Sequence, residues 1–233
     1  MKGVVLGILG AIVIAAPAIV VSQGSAKATY ITKEQVDAVN KTQGTDRTLQ
    51  VFDLGKTAMS IGIVHRGPTN AAARGAGGGG GAAGGGRGAA GGGGGAAAGR
   101  GGNAPAPVPC GEKVASLPTG AAPGMIAHDQ TTETYIIVSG GGTLITGGHI
   151  VNGTRSGPDS EVTKVLNGPS CSGPAVGSDV ARKVVKTGDI IVIPAGVPHG
   201  WTDIGDHVDY LSVRPDPDKV LQHGYIHPAM GTK

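Results

Sequence analysis

Aromatic side chains are nearly missing from this chain: one Phe, one Trp and four Tyr, 3% of 233 residues. Any core it forms must rest on Ile, Val and Leu. Cysteine is equally scarce. Cys110 and Cys171 are the only two, and neither has a histidine close by in sequence, which argues against a cysteine nucleophile. An excess of charge is also lacking. The formal net charge is +3, and without Lys2 and Lys27, which fall in a leader-like N-terminus, 17 basic side chains face 16 acidic ones. Such a balance points to no nucleic-acid partner and no acidic-lipid surface.

Residues 1–28 read as a signal peptide or an N-terminal anchor. Lys2 precedes an apolar run over 4–21 broken only by glycine and Pro17, and Ala26-Lys27-Ala28 has the small-residue pattern of a signal-peptidase site. The alternative to cleavage is a retained anchor, for which 18 residues are barely enough to span a bilayer. On either reading the functional part is exported, periplasmic or extracellular, and touches a membrane only through this segment.

Residues 29–70 are expected to hold a short N-terminal helix and the lead-in strands. Thr32 and Gln35 have capping-box spacing ahead of a helix ending near Asn40, and strands are expected over 48–53 and 59–65. Period two groups His65 with Ile61 and Ile63, which would turn it inward; its readings are a hydrogen-bonded core or surface histidine, or a ligand. Residues 71–109 form a low-complexity insertion with a proline-rich exit. From 75 to 102 there is only Gly, Ala and Arg, and 18 of these 28 residues are Gly. That composition cannot offset its ordering entropy by burial, which predicts a disordered surface insertion. Arg74, Arg87 and Arg100 recur every 13 residues, too sparsely to suggest nucleic-acid binding.

Cys110 ends the insertion and Cys171 lies in a stretch, 167–177, read as a loop. In an exported chain the pair is either one disulfide or two free thiols. Strand-like pieces follow at 143–146, 161–166, 180–185, 189–193 and 207–213, and the tail over 215–233 has no clear periodicity. Many short strands, Gly/Pro turns and no long helix indicate an all-β barrel or sandwich.

The chemistry concentrates in two segments. Residues 120–140 contain His128 and Glu133, residues 188–203 contain His199, and each lies beside Ile/Val-rich strands. Two histidines and a carboxylate on rigid strands are ligands that a divalent first-row metal takes, with positions left open for water or substrate. The spacing of the two segments resembles the paired motifs of the cupin superfamily. Gly120, then His128, Glu133 and Gly140 follow the first motif; Gly188, Pro194, Gly196 and His199 follow the second, with Asp203 where the family has asparagine. Ile126 stands in place of the first motif's leading histidine. The resemblance covers residues 110–214. It implies a double-stranded β-helix (jelly-roll) barrel with a metal site reduced to His128, Glu133 and His199, holding Fe, Mn, Ni or Zn and a small-molecule ligand or substrate, in a chain able to form a homodimer. Asp129 or His65 could complete the shell. Tyr135 shares strand parity with Glu133, and Trp201 follows His199 by two, so both are candidates for the barrel mouth or for ordinary core packing. Tyr135, Asp129 and Asp203 are candidates for proton transfer. Dioxygenase, isomerase and lyase chemistry all fit such a site, and so does a non-catalytic binding barrel.

Overall fold

A computed structural model describes residues 28–69 and 107–231. The leader and the Gly/Ala/Arg tract lie outside the described residues. Among the described residues no helix is long and apolar enough to cross a membrane. The account below concerns the compact unit that begins at Thr32.

The chain enters through α1 (Lys33–Asn40). Thr32 caps it with the predicted capping box: its side chain accepts from the Gln35 backbone while the Gln35 side chain accepts from the Thr32 backbone. Twelve strands follow in one antiparallel system. They are β1 (Asp46–Asp53), β2 (Ala58–Arg66), β3 (Pro109–Cys110), β4 (Ala122–His128), β5 (Glu133–Thr146), β6 (His149–Ile150), β7 (Gly153–Arg155), β8 (Ser170–Val176), β9 (Ala181–Lys186), β10 (Ile190–Ile193), β11 (His199–Thr202) and β12 (Val208–Asp216). The spatial order is β1-β2-β12-β5-β11-β4-β8-β7-β3.

The fold turns on β5. Its first half pairs with β10 and β12, and its second half pairs with β9 and β11. One strand therefore belongs to both walls. It passes between them through Gly140, Gly141 and Gly142, at the point where Val138 is left as an extra residue against β12. Gly140 has φ +67, and a Cβ there would run into the His207 carbonyl, so only glycine fits the corner. Between the walls lies an aliphatic core of Val64, Ile137, Leu144, Val185, Ile193, Ile204 and Val208, completed by Tyr135 and Tyr210. The scarcity of aromatics is met by placing two of the four tyrosines at its centre.

Two expectations are corrected. Residues 161–166 are not a strand: Val162–Leu166 form a π-helical turn. Its buried residues, Val162, Val165 and Leu166, stand three and four apart, which is helical spacing, and the short apolar run concealed it. The stretch 167–177 is not a loop. It contains β8, which pairs with β4, β6 and β7. Gly173 and Pro174 read as turn residues, yet Gly173 is needed because a Cβ would press on Gly153 of the neighbouring strand. Cys110 and Cys171 form a disulfide that joins β3 to β8 across 61 residues of sequence.

Candidate metal centre

Three strand ends meet in the barrel. His128 closes β4, Glu133 opens β5 four residues after that strand, and His199 opens β11, which pairs with both. All three side chains are buried, and their ligand atoms lie within 4.8 Å of one another. The sequence separates His199 from the others by more than sixty residues; the antiparallel register brings it back.

The hydrogen-bond network assigns the tautomers. His128 Nδ1 faces Ser170 Oγ at 2.9 Å, and that hydroxyl donates its own proton to the Gly168 carbonyl. His128 Nδ1 is therefore the donor. His199 Nδ1 faces the Val197 carbonyl at 3.0 Å, an acceptor only, so it too carries the proton. Each ring then turns its Nε2 toward Glu133 Oε2, at 3.3 and 3.0 Å. Burial pushes the His128 imidazole below its ordinary value against the pull of Glu133, which keeps it neutral. Three ligand-type atoms thus converge. A cation is what such an arrangement accepts, and ring N–H groups fixed by a hydroxyl and a carbonyl are the usual support of metal-binding histidines.

The other carboxylate oxygen is committed elsewhere. Glu133 Oε1 accepts from Arg214 Nε at 2.6 Å and from Ser212 Oγ at 3.2 Å. Arg214 also pairs with Asp46 through Nη2 at 2.5 Å. Burial raises the Glu133 carboxyl, but Arg214 and the histidines outweigh it and hold it well below its ordinary value. Glu133 is therefore ionised, with Oε2 turned toward the two histidines. Tyr135 donates to that same oxygen at 2.7 Å, and burial followed by the nearby carboxylate holds its phenol well above the ordinary tyrosine value. It remains a proton donor.

The remaining sequence candidates separate. Tyr135 faces inward as expected, edge-on to His199 at 6.1 Å. Trp201 packs on the barrel core and stacks on Tyr210 at 5.7 Å. Ile126 sits opposite His199 in the register between β4 and β11. Asp129 does not reach the centre; it is exposed and paired with Arg155. Asp203 is exposed in a turn at φ 51, which takes it out of proton transfer. His65 is corrected as well. The inward residues of β2 are Ser60, Gly62 and Val64, while the His65 side chain is 57% exposed and bonded to Asp209 at 2.5 Å. Ile63 is buried on the outer face, where it shares a groove with Val36 of α1, so parity with Ile63 points outward.

Arg214, Ser212 and Ser170 are functional neighbours that sequence reasoning missed. A signal existed for two of them. Along β12 the buried positions are Val208, Tyr210, Ser212, Arg214 and Asp216, strict alternation that continues past Pro215. Ending the strand at 213 removed Arg214 from view.

Strand order and the buried triad define an all-β antiparallel barrel, and its two glycine-framed motifs resemble those of the cupin superfamily. No family model matches it and no curated protein matches it. Among solved structures, two oxalate oxidase complexes with glycolate superpose at TM-score 0.29, and a third oxalate oxidase structure superposes at 0.30. Each is 13% identical and aligned over 76% of this chain and 54% of its own length. The chain thus spans about half of the proteins it matches, and superposition at this level carries no weight. The fold reading rests on this chain's own topology, and the likeness to cupins on its motif spacing.

Proposed function

We propose that the barrel binds a divalent first-row metal (Fe, Mn, Ni or Zn) through His128, Glu133 and His199, and acts there on a small molecule. The observation that carries this reading is the convergence of two buried histidine Nε2 atoms on one oxygen of the ionised Glu133 carboxylate. An ion held there would supply Lewis-acid or redox chemistry, with positions left for water or a small molecule, as dioxygenases, isomerases and lyases require. The chain's own residues divide the remaining work. Ser170 and the Val197 carbonyl fix the imidazoles, Arg214 and Ser212 hold Glu133 to one free oxygen, and Tyr135 keeps a proton beside that oxygen. Export is part of the same proposal, supported by the leader composition and by a disulfide of the kind that persists outside reducing compartments.

Metal analysis of the mature protein after exposure to Fe(II), Mn(II), Ni(II) and Zn(II) tests the reading. It expects stoichiometric retention of at least one of them, and retention of none sinks it. Ile126, apolar and facing His199 where the family's further histidine would stand, favours a second reading: a binding barrel without catalysis. The double variant Glu133→Ala, His199→Ala separates the two. Loss of metal with ligand affinity intact supports the binder.

A further inference from the structure

We propose that the small molecule in this barrel carries a carboxylate, or an oxyanion of similar size, and that Arg66, Tyr210 and Trp201 hold it. The inference rests on the reading of the barrel as a small-molecule site.

Arg66 ends β2 on the same face as Val64, which belongs to the barrel core. Its guanidinium makes one side-chain hydrogen bond among the described residues, from Nε to the Tyr210 hydroxyl at 3.0 Å. Among the described residues no carboxylate forms an ion pair with it. The contrast with its neighbours is plain: Arg214 pairs with Glu133 and Asp46, and Arg155 pairs with Asp129. Arg66 is partly exposed, and among the described residues its Nη groups have no hydrogen-bond partner. A guanidinium fork with two free N–H edges matches the two oxygens of a carboxylate.

Two more donors share the cluster. The Tyr210 hydroxyl already accepts from Arg66, and its own proton has no acceptor among the described residues. Trp201 stacks on the Tyr210 ring, and its Nε1 is buried with no hydrogen-bond partner. An indole nitrogen can only donate. Arg66, Tyr210 and Trp201 thus bring N–H and O–H groups together, and among the described residues only Arg66 Nε has an acceptor. Leaving a buried donor unmet is destabilising, and a ligand rich in acceptor oxygens removes that cost. A cationic or donor-rich ligand would add to it. The cluster also adjoins the metal centre, because Tyr210 packs on Tyr135 with ring centroids 4.3 Å apart, and Tyr135 bonds Glu133. A molecule anchored at Arg66 would extend toward the triad.

Trp201 is the chain's single tryptophan, so its fluorescence reports on the cluster directly. The probes are acetate, butyrate and benzoate, each against its primary amide, titrated into protein stripped of metal with a chelator and checked by calorimetry. At least one carboxylate is expected to bind about tenfold or more tightly than its amide, the scale of one charge-assisted pair. Arg66→Gln is expected to abolish that preference, and Arg66→Lys, which keeps the charge without the fork, to restore part of it. Equal binding of acid and amide, no binding of any acid, or an unchanged preference in Arg66→Gln would overturn the proposal. If Arg66→Gln does not fold, the wild-type comparison and Arg66→Lys still decide. Because these titrations use metal-free protein, a failure here leaves the metal reading standing, and a chain that holds no metal can still show the preference.

Discussion

At the scale of single residues, the centre is organised by what each polar atom has already given away. His128 and His199 have committed their Nδ1 protons, and Glu133 has committed Oε1. Only the atoms facing the middle are left. Arg214 is the residue that makes this possible, since a buried carboxylate without a cation would neutralise instead of remaining ionised. It fits because β2 carries Gly62 beneath it: a Cβ there would stand 3.0 Å from Arg214 Nη1. Arg214→Met should therefore cost on the order of 3–5 kcal/mol, the penalty for breaking a buried pair on one side, measured by urea unfolding. A loss below about 1 kcal/mol would show that Glu133 finds other compensation.

Acid should weaken the metal-free protein for the same reason. The folded pKa of His128 is lowered from its ordinary 6.5, so below that value the unfolded chain takes up a proton that the folded chain refuses. The folded pKa of Glu133 is lowered from 4.5, so its contribution, present above that value, is lost as pH falls further. Both signs agree: stability declines with falling pH, first through the histidine and then through the carboxylate. Melting temperatures measured from neutral pH downward should fall, and a flat or rising profile below pH 6.5 would contradict the assigned protonation. Bound metal should steepen the decline, because protons compete for its ligands.

At the scale of elements, glycine placement does more than any side chain to shape the barrel. Gly140 and Gly188 both have positive φ, +67 and +93, but only Gly140 is crowded, by the His207 backbone; nothing lies near a Cβ at Gly188. Gly188→Ala should carry only the backbone penalty, about 1–3 kcal/mol. Gly140→Ala should exceed it, because the corner of β5 must also open. Equal losses in thermal melts would mean that the corner is not the constraint proposed here. The motif spacing made both glycines legible in the sequence. The helix cap was equally legible, since Thr32 and Gln35 carry their own local chemistry. What stayed hidden was set by tertiary packing. The π-helical turn at Val162–Leu166 is decided by which of its residues are buried, and β8 by neighbours able to approach Gly173.

At the scale of the whole molecule, the ligand trio was readable because its residues sit at fixed offsets from glycine and proline. Their support was not, because Arg214 lies on β12, more than eighty residues beyond the glutamate that it holds. His65 failed for a related reason: α1 covers part of the outer face, so burial appears on both sides of β2 and period two no longer tells in from out.

The central claim is that the triad holds an ion, and the most direct test is crystallographic. Anomalous diffraction from crystals grown with Zn(II), and anaerobically with Fe(II), should show a peak at about 2.0–2.2 Å from His128 Nε2, His199 Nε2 and Glu133 Oε2, lost in Glu133→Ala. Density that leaves the three side chains bonded to one another, with any ion bound elsewhere, would contradict it.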